Sequence, residues 1–207
     1  MNSSFNTAGT PRKVGIMGGS FNPVHLAHCE MAECFVKETG ADVCYFVPSS
    51  SSPLKGNDEY ASDEHRLAMV QLAIGINPLF KVSDVEIERG GVSYTIDTVL
   101  WFRMQFPDSS MYLLIGEDQA AEFTRWKQWE NILDTVQLCI VHRNDVNNNA
   151  AITKILTRGT KPPLWINCPV MNISSTEIRR CIQTGEPADI FLSNEVKEYI
   201  FEHGLYR

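Results

Sequence analysis

Val14-Gly15-Ile16-Met17-Gly18-Gly19-Ser20-Phe21-Asn22-Pro23-Val24-His25-Leu26-Ala27-His28 is the stretch on which the reading of the whole chain turns. Val14 to Met17 is a short apolar run of the kind that forms a buried strand. Gly18-Gly19-Ser20 ends it, and helical spacing then runs from His25 to Glu38. Strand, glycine turn and helix in that order open a parallel α/β unit. The glycines let the backbone approach a ligand closely, and the helix N-terminus presents free N–H groups and a partial positive charge to an anion. Neither common phosphate loop fits, because the stretch contains no G-x-G-x-x-G and no G-x-x-x-x-G-K-[ST]. The chemistry therefore rests on His25 and His28. Three residues apart, they share one face of a helix that begins by Val24, where two imidazoles can donate hydrogen bonds to one set of phosphate oxygens. As a metal pair they lack a clear third ligand, so no metal-binding residue is assigned.

Working outward, strand patterns recur at Val43 to Val47, Phe80 to Ser83, Tyr112 to Ile115, Leu138 to Val141 and Leu164 to Asn167. Helical spacing fills the intervals at Ser62 to Ile74, Thr95 to Phe106, a Trp-rich piece at Ala120 to Leu133, and Asn149 to Thr157. Alternation at this rhythm predicts a parallel sheet with helices on both faces. Two helices close the chain, Ser174 to Thr184 and Asn194 to His203, with Gly204 placed to end the last. The 207 residues fit one domain, over 13–207, behind a short flexible leader at 1–12.

Composition narrows the function. Eighteen Lys and Arg against 25 Asp and Glu give a formal net charge of −7, which disfavours nonspecific binding to nucleic acid or an anionic membrane. A phosphate-handling protein of this charge must gather its positive groups locally. Six cysteines, Cys29, Cys34, Cys44, Cys139, Cys168 and Cys181, form no C-x-x-C pair and read as reduced thiols. With no signal peptide and no long apolar run, the expected location is cytoplasmic. The closing helices are the candidate surface for a homo-oligomer.

A second anion site is suggested by Ile173-Ser174-Ser175-Thr176-Glu177-Ile178-Arg179-Arg180. Ser174 and Glu177 have capping-box spacing, so a helix starts at Ser174 with adjacent hydroxyls and an arginine one turn in. Taken alone, the octapeptide reads better as an ordinary cap with surface charges. Ser49 to Gly56, a Ser-rich loop after the second strand carrying Lys55, stands where α/β ligand loops sit, and reads equally well as a solvated linker. The Asn cluster at Asn144 to Asn149 reads as a surface connection.

Together the two constellations change the balance. A chain with G-G-S-F-N-P-V-H-L-A-H near its start and I-S-S-T-E-I-R-R near its end resembles the nucleotidyltransferases of the H-x-G-H superfamily. Within it, the chain is most similar to the bacterial nicotinate-nucleotide adenylyltransferases. Ser62-Asp63-Glu64-His65-Arg66, Gly90-Gly91-Val92-Ser93-Tyr94-Thr95, Leu114-Ile115-Gly116-Glu117-Asp118 and Trp126-Lys127-Gln128-Trp129 support the narrower choice, and the likeness spans Val14 to Tyr206.

The resemblance implies a Rossmann-like, doubly wound α/β fold and transfer of AMP from ATP to nicotinate mononucleotide, with Mg²⁺ bound through the ATP phosphates. It implies catalytic roles for His25, His28 and Arg179. It places ATP at Gly18, Gly19, Ser20, Phe21, Lys55, Gly116, Asp118, Ile173, Ser174 and Ser175, and the mononucleotide at Asn22, Tyr94, Thr95 and Trp126. Trp129 is expected to pack in the core. The chain departs from the family pattern at three places: Ala27 replaces the glycine of H-x-G-H, Pro53-Leu54-Lys55 lacks the loop histidine, and Glu117 precedes Asp118 where a small residue is commoner. Two other readings stay open: a related transferase using nicotinamide mononucleotide or another phosphorylated acceptor, and a noncatalytic nucleotide-binding module.

Overall fold

The computed structural model describes residues 9–50, 61–141, 161–169 and 171–207. Lys55, most of the Ser-rich loop, the Asn cluster at 144–149 and the helix expected at 149–157 lie outside the described residues.

Among the described residues, six strands form one sheet: β1 (Lys13–Gly19), β2 (Val43–Pro48), β3 (Phe80–Val82), β4 (Ser110–Gly116), β5 (Gln137–Val141) and β6 (Leu164–Ile166). Their order is β3-β2-β1-β4-β5-β6 and every pairing is parallel. This is the doubly wound Rossmann arrangement, in which the winding reverses between β1 and β4 and opens a crevice at the carboxyl ends of those strands.

Alternation along β1 shows why the sheet is buried on both sides. Met17 joins one core, with Phe35, Phe46 and Leu114, while Val14 and Ile16 join the other, with Leu113, Phe102 and Ile140. Gly15 is where α1 comes closest: a Cβ there would sit 2.3 Å from the ring of Phe35, so only glycine lets helix and strand meet.

Helices α1 (Leu26–Thr39) and α2 (Asp63–Ile74) follow β1 and β2. α3 (Val85–Arg89) and α4 (Thr95–Gln105) precede β4, and α5 (Glu117–Ala121) and α6 (Trp129–Thr135) precede β5. α7 (Ser175–Thr184) and α8 (Asn194–Glu202) end the chain. Ser62, Ser174 and Ser193 each accept a hydrogen bond from a backbone N–H in the first turn of the helix they cap. Gly204 takes a left-handed φ of 60° after α8, and Leu205 N–H donates back to Ile200 O, closing that end as expected.

Two sequence expectations are corrected. The Trp-rich piece is not one helix. α5 stops at Ala121, a single 3₁₀ turn covers Phe123–Arg125, and α6 begins at Trp129 after Gln128 adopts a left-handed φ of 53°. α1 begins at Leu26 rather than by Val24, so His25 is the residue before the first turn and not part of the helix.

Candidate active site

The crevice at the winding reversal is an open cleft of about 560 Å³. Gly18, Gly19 and Ser20 enter it from the end of β1, Tyr94 and Thr95 from the start of α4, Asp118 from the first turn of α5, and Trp126 from the break before α6. A side chain at Gly18 would meet nothing within 4 Å, so it is the open cleft and not the packing that this glycine serves. Gly19 differs: a Cβ there would lie 3.2 Å from the ring of Phe21, which is buried beneath it at a positive φ of 45°.

Beyond Ser20 the loop passes through Phe21, Asn22 and Pro23 to the paired histidines. His25 has extended backbone, and its N–H donates to Nδ1 of His28 at 3.2 Å. The two rings stack at 3.8 Å, and Phe21 packs edge-on against His28 at 5.0 Å. The rings thus meet although only one of them is on the helix. Because Nδ1 of His28 accepts that bond, its neutral ring carries the proton on Nε2. α1 has no acidic residue in its first turn, so nothing in that turn cancels the positive end of its dipole.

The end of the chain is tied to the same loop. Ser175 Oγ donates to Pro23 O at 2.9 Å, and Arg179 Nη1 donates to Asn22 O at 2.8 Å. The N-terminus of α7, capped by exposed Ser174, is thereby fixed beside that of α1. Ile173 is packed in the core just before the cap. The N-termini of α1 and α7, at Leu26 and Ser175, thus share one loop.

A family model described as Cytidylyltransferase-like matches residues 16–181. The chain is 36% identical over 198 residues to a Lachnoclostridium phytofermentans protein named "Probable nicotinate-nucleotide adenylyltransferase", covering 94% of this chain and 99% of that one. It is 34% identical over 195 residues to the nicotinate-nucleotide adenylyltransferase of Bacillus subtilis, covering 94% and 98%. The chain belongs to the nicotinate-nucleotide adenylyltransferase family. Among solved structures, the nicotinic acid mononucleotide adenylyltransferase of Plasmodium falciparum complexed with NaAD superposes with a TM-score of 0.79 at 19% identity, over 94% of this chain and 97% of that one, a likeness of fold.

Of the described residues assigned to substrate, Phe21, Asn22, Gly116, Ile173, Ser174 and Ser175 are not among those lining the cleft, and neither are His25, His28 and Arg179. Gly116 is buried at the start of α5, where its N–H donates to Gln119 Oε1 at 3.4 Å. Phe21 and Ile173 are core side chains. Asn22 is only 1% exposed, and its Oδ1 accepts from Ala61 N–H at 3.1 Å and from the Tyr206 hydroxyl at 2.7 Å. Through Oδ1 the Asn22 side chain ties the loop to the chain end, while its Nδ2 is buried without a hydrogen-bond partner. Burial also pushes the Tyr206 hydroxyl well above its ordinary pKa, with Arg179 and Arg66 opposing, so it stays a proton donor to Asn22.

Arg66 is a residue to which sequence reasoning gave no role. It is 1% exposed, with its guanidinium donating to Ser20 O at 2.6 Å, to Ala61 O at 3.2 Å and to the carboxylate of Asp63. A buried arginine needs such partners, and here they anchor the glycine loop from behind. Its only sequence signal was membership of the Ser62-to-Arg66 motif. Lys127 was likewise passed over: it lines the cleft, with Nζ 4.1 Å from the Tyr94 ring centre and 3.5 Å from Asp97. No described helix is long and apolar enough to cross a membrane.

Proposed function

We propose that this protein transfers AMP from ATP to nicotinate mononucleotide, giving nicotinate adenine dinucleotide and pyrophosphate. The reading is supported by one observation: the stacked His25–His28 pair and the arginine-bearing start of α7 are held by a single loop, the one that continues from the Gly18-Gly19-Ser20 turn lining the winding-reversal cleft. A noncatalytic nucleotide-binding module would need the glycines and the cleft but not these three cationic or ionisable groups around one loop.

No covalent enzyme intermediate is needed. An ionised phosphate oxygen of the mononucleotide attacks the α-phosphorus of ATP in line; the new P–O bond forms as the bond to the bridging oxygen of pyrophosphate breaks. The protein's work is to bring two anions together, align them, and stabilise charge on the departing pyrophosphate. His28 through Nε2, His25, the Ser174 and Ser175 region and Arg179 receive the β and γ phosphates. Gly18, Gly19 and Ser20 give the nucleotide close backbone approach, and Asp118 meets the adenosine. Tyr94, Thr95 and Trp126 form the nicotinate pocket, with the Trp126 ring available to stack on the pyridine.

The donors around the phosphate positions are imidazoles, hydroxyls and a guanidinium, a set matched to phosphate oxygens rather than to a hard cation. Mg²⁺ accordingly enters on the ATP phosphates and water, where it neutralises phosphate charge. We place the enzyme in the cytoplasm, with residues 13–207 as one catalytic domain, and with no part for nucleic acid or membrane.

The test is pyrophosphate release from ATP with nicotinate mononucleotide and, separately, with its amide. Release with the acid at a rate well above that with the amide is the expected result. Equal rates would establish dual specificity in place of acid preference, and no release with either would return the chain to the binding-module reading.

A further inference from the structure

Outside the cleft, the described residues bring one group of soft and hard donors together. Glu30 and Cys34 are four apart on α1 and face the segment after β6, where Cys168 lies. One ligand atom from each of Glu30, Cys34 and Cys168 falls within 4.8 Å of the other two. Cys34 Sγ is 3.8 Å from Glu30 Oε1, and the two thiols are in hydrogen-bond contact with each other. Glu30 and Cys168 also border a cavity of about 10 Å³, room for one water-sized particle. None of these residues takes part in the adenylyl-transfer reading.

We propose that Glu30, Cys34 and Cys168 form a binding site for one thiophilic divalent cation of the zinc class, bridging α1 to the β6–α7 connection. Two thiolates and a carboxylate suit such an ion and suit Mg²⁺ poorly. With metal–sulfur bonds of about 2.3 Å, tetrahedral geometry puts ligand atoms roughly 3.8 Å apart, so closing from the observed spread requires only side-chain rotation. The fourth position is left to water. Burial pushes both thiols above the ordinary range, the hydrogen bond between them lowers Cys34 and raises Cys168, and the charges of Glu30 and Glu38 add to the rise. On binding, each thiol proton passes to solvent and its sulfur lone pair to the metal, with no redox change.

Position gives the site its consequence. Cys34 lies six residues beyond His28 on the same helix, and Cys168 lies six residues before Ser174. Asn167 N–H already donates to Glu38 Oε1 across the same seam at 2.8 Å. A metal here would clamp the two elements whose N-termini face the phosphates, raising the stability of that arrangement without touching substrate.

The experiment is titration of the reduced, chelator-treated protein with Cd²⁺ alone, following the sulfur-to-cadmium ultraviolet absorption band, and with Zn²⁺ by thermal melting. The expected result is one equivalent bound, a rise in melting temperature, and no competition from excess Mg²⁺. Cys34→Ser and Cys168→Ser should each remove most of the band, Cys29→Ser should leave it intact, and Glu30→Gln should weaken binding by at least about tenfold. Cys168→Ala and circular dichroism guard against a folding defect in the serine variants. A wild-type protein with no band overturns the proposal, as does a full band surviving in the Cys34→Ser/Cys168→Ser double variant.

Discussion

His28 has two separable duties, and a pair of substitutions divides them. Its Nδ1 accepts the His25 N–H at 3.2 Å, which is a capping bond, while its Nε2–H is the donor assigned to phosphate. His28→Asn keeps an acceptor close to the position of Nδ1 and deletes the Nε2 donor. His28→Ala deletes both, together with the stacking on His25 at 3.8 Å. Loss of a cap costs about 0.5–2 kcal/mol, which for a chain of this size lowers the melting temperature by about 1–8 °C. Loss of a preorganised donor to developing charge costs about 10²- to 10³-fold in turnover. His28→Ala should therefore show both defects, and His28→Asn should melt close to wild type yet turn over as poorly as His28→Ala. The assay is pyrophosphate release at saturating ATP and nicotinate mononucleotide, beside thermal denaturation of each variant. Turnover in His28→Asn within about tenfold of wild type would refute the phosphate role, and an equal drop in melting temperature for both variants would refute the capping role.

Trp126→Ala should raise KM for nicotinate mononucleotide by about 5- to 150-fold, the equivalent of the roughly 1–3 kcal/mol of a ring stacked on a base, with Trp126→Phe retaining most of the affinity; steady-state kinetics with an unchanged KM in the alanine variant would exclude the stack. Arg179→Ala should lower kcat/KM for ATP by about 10- to 150-fold, as expected for a charged hydrogen bond of roughly 1.5–3 kcal/mol, while Arg180→Ala stays near wild type, and the reverse order in the same assay would move the phosphate contact to Arg180. Arg66→Met should cost about 3 kcal/mol by stranding buried acceptors, seen as a melting temperature lower by roughly 6–12 °C, and an unshifted melt would show that the glycine loop needs no anchor. Burial, with Glu33 adding to it, pushes the Cys29 thiol up to about 11. Thiolate is the reactive form, so alkylation of Cys29 should keep rising with pH until about 11, and a plateau near the ordinary thiol value, read by peptide mass mapping, would contradict that burial.

The parts of the fold legible in the sequence are those specified by neighbours along the chain. β1 alternates Val14 and Ile16 against Gly15 and Met17, and Ser62, Ser174 and Ser193 are caps whose partner N–H groups lie three residues on. What was not legible depends on partners far away in sequence. Asn22 reads as a loop residue beside a ligand until Tyr206, 184 residues later, takes its Oδ1. Arg66 has no role in the sequence beyond its place in the Ser62-to-Arg66 motif until Ser20 O, 46 residues earlier, is found on its guanidinium. α3 is only five residues long, too short for a helical period to register between β3 and α4. The break before α6 hangs on Gln128 at a positive φ, a conformation that Asn or Gly would have signalled and Gln does not.

Charge separates the two adjacent arginines of the second constellation, and it is why the proposal assigns phosphate to only one of them. Arg180 is held between Glu177 and Glu186, each 2.7 Å from its Nη2, and this pairing raises its own pKa and lowers both carboxylates. Arg125 and Lys127 in the cleft are paired in the same way with Glu122 and Asp97. Arg179 is different: its described partners are the carbonyl of Asn22 and, at 3.5 Å, the hydroxyl of Thr176, neither of which carries charge. Those bonds orient the guanidinium without neutralising it. In a chain of net charge −7, a binding site for polyphosphate is made less by adding cations than by withholding carboxylates from one of them. Arg179 and the N-terminus of α1, whose first turn holds no acidic residue, meet that condition at a single loop.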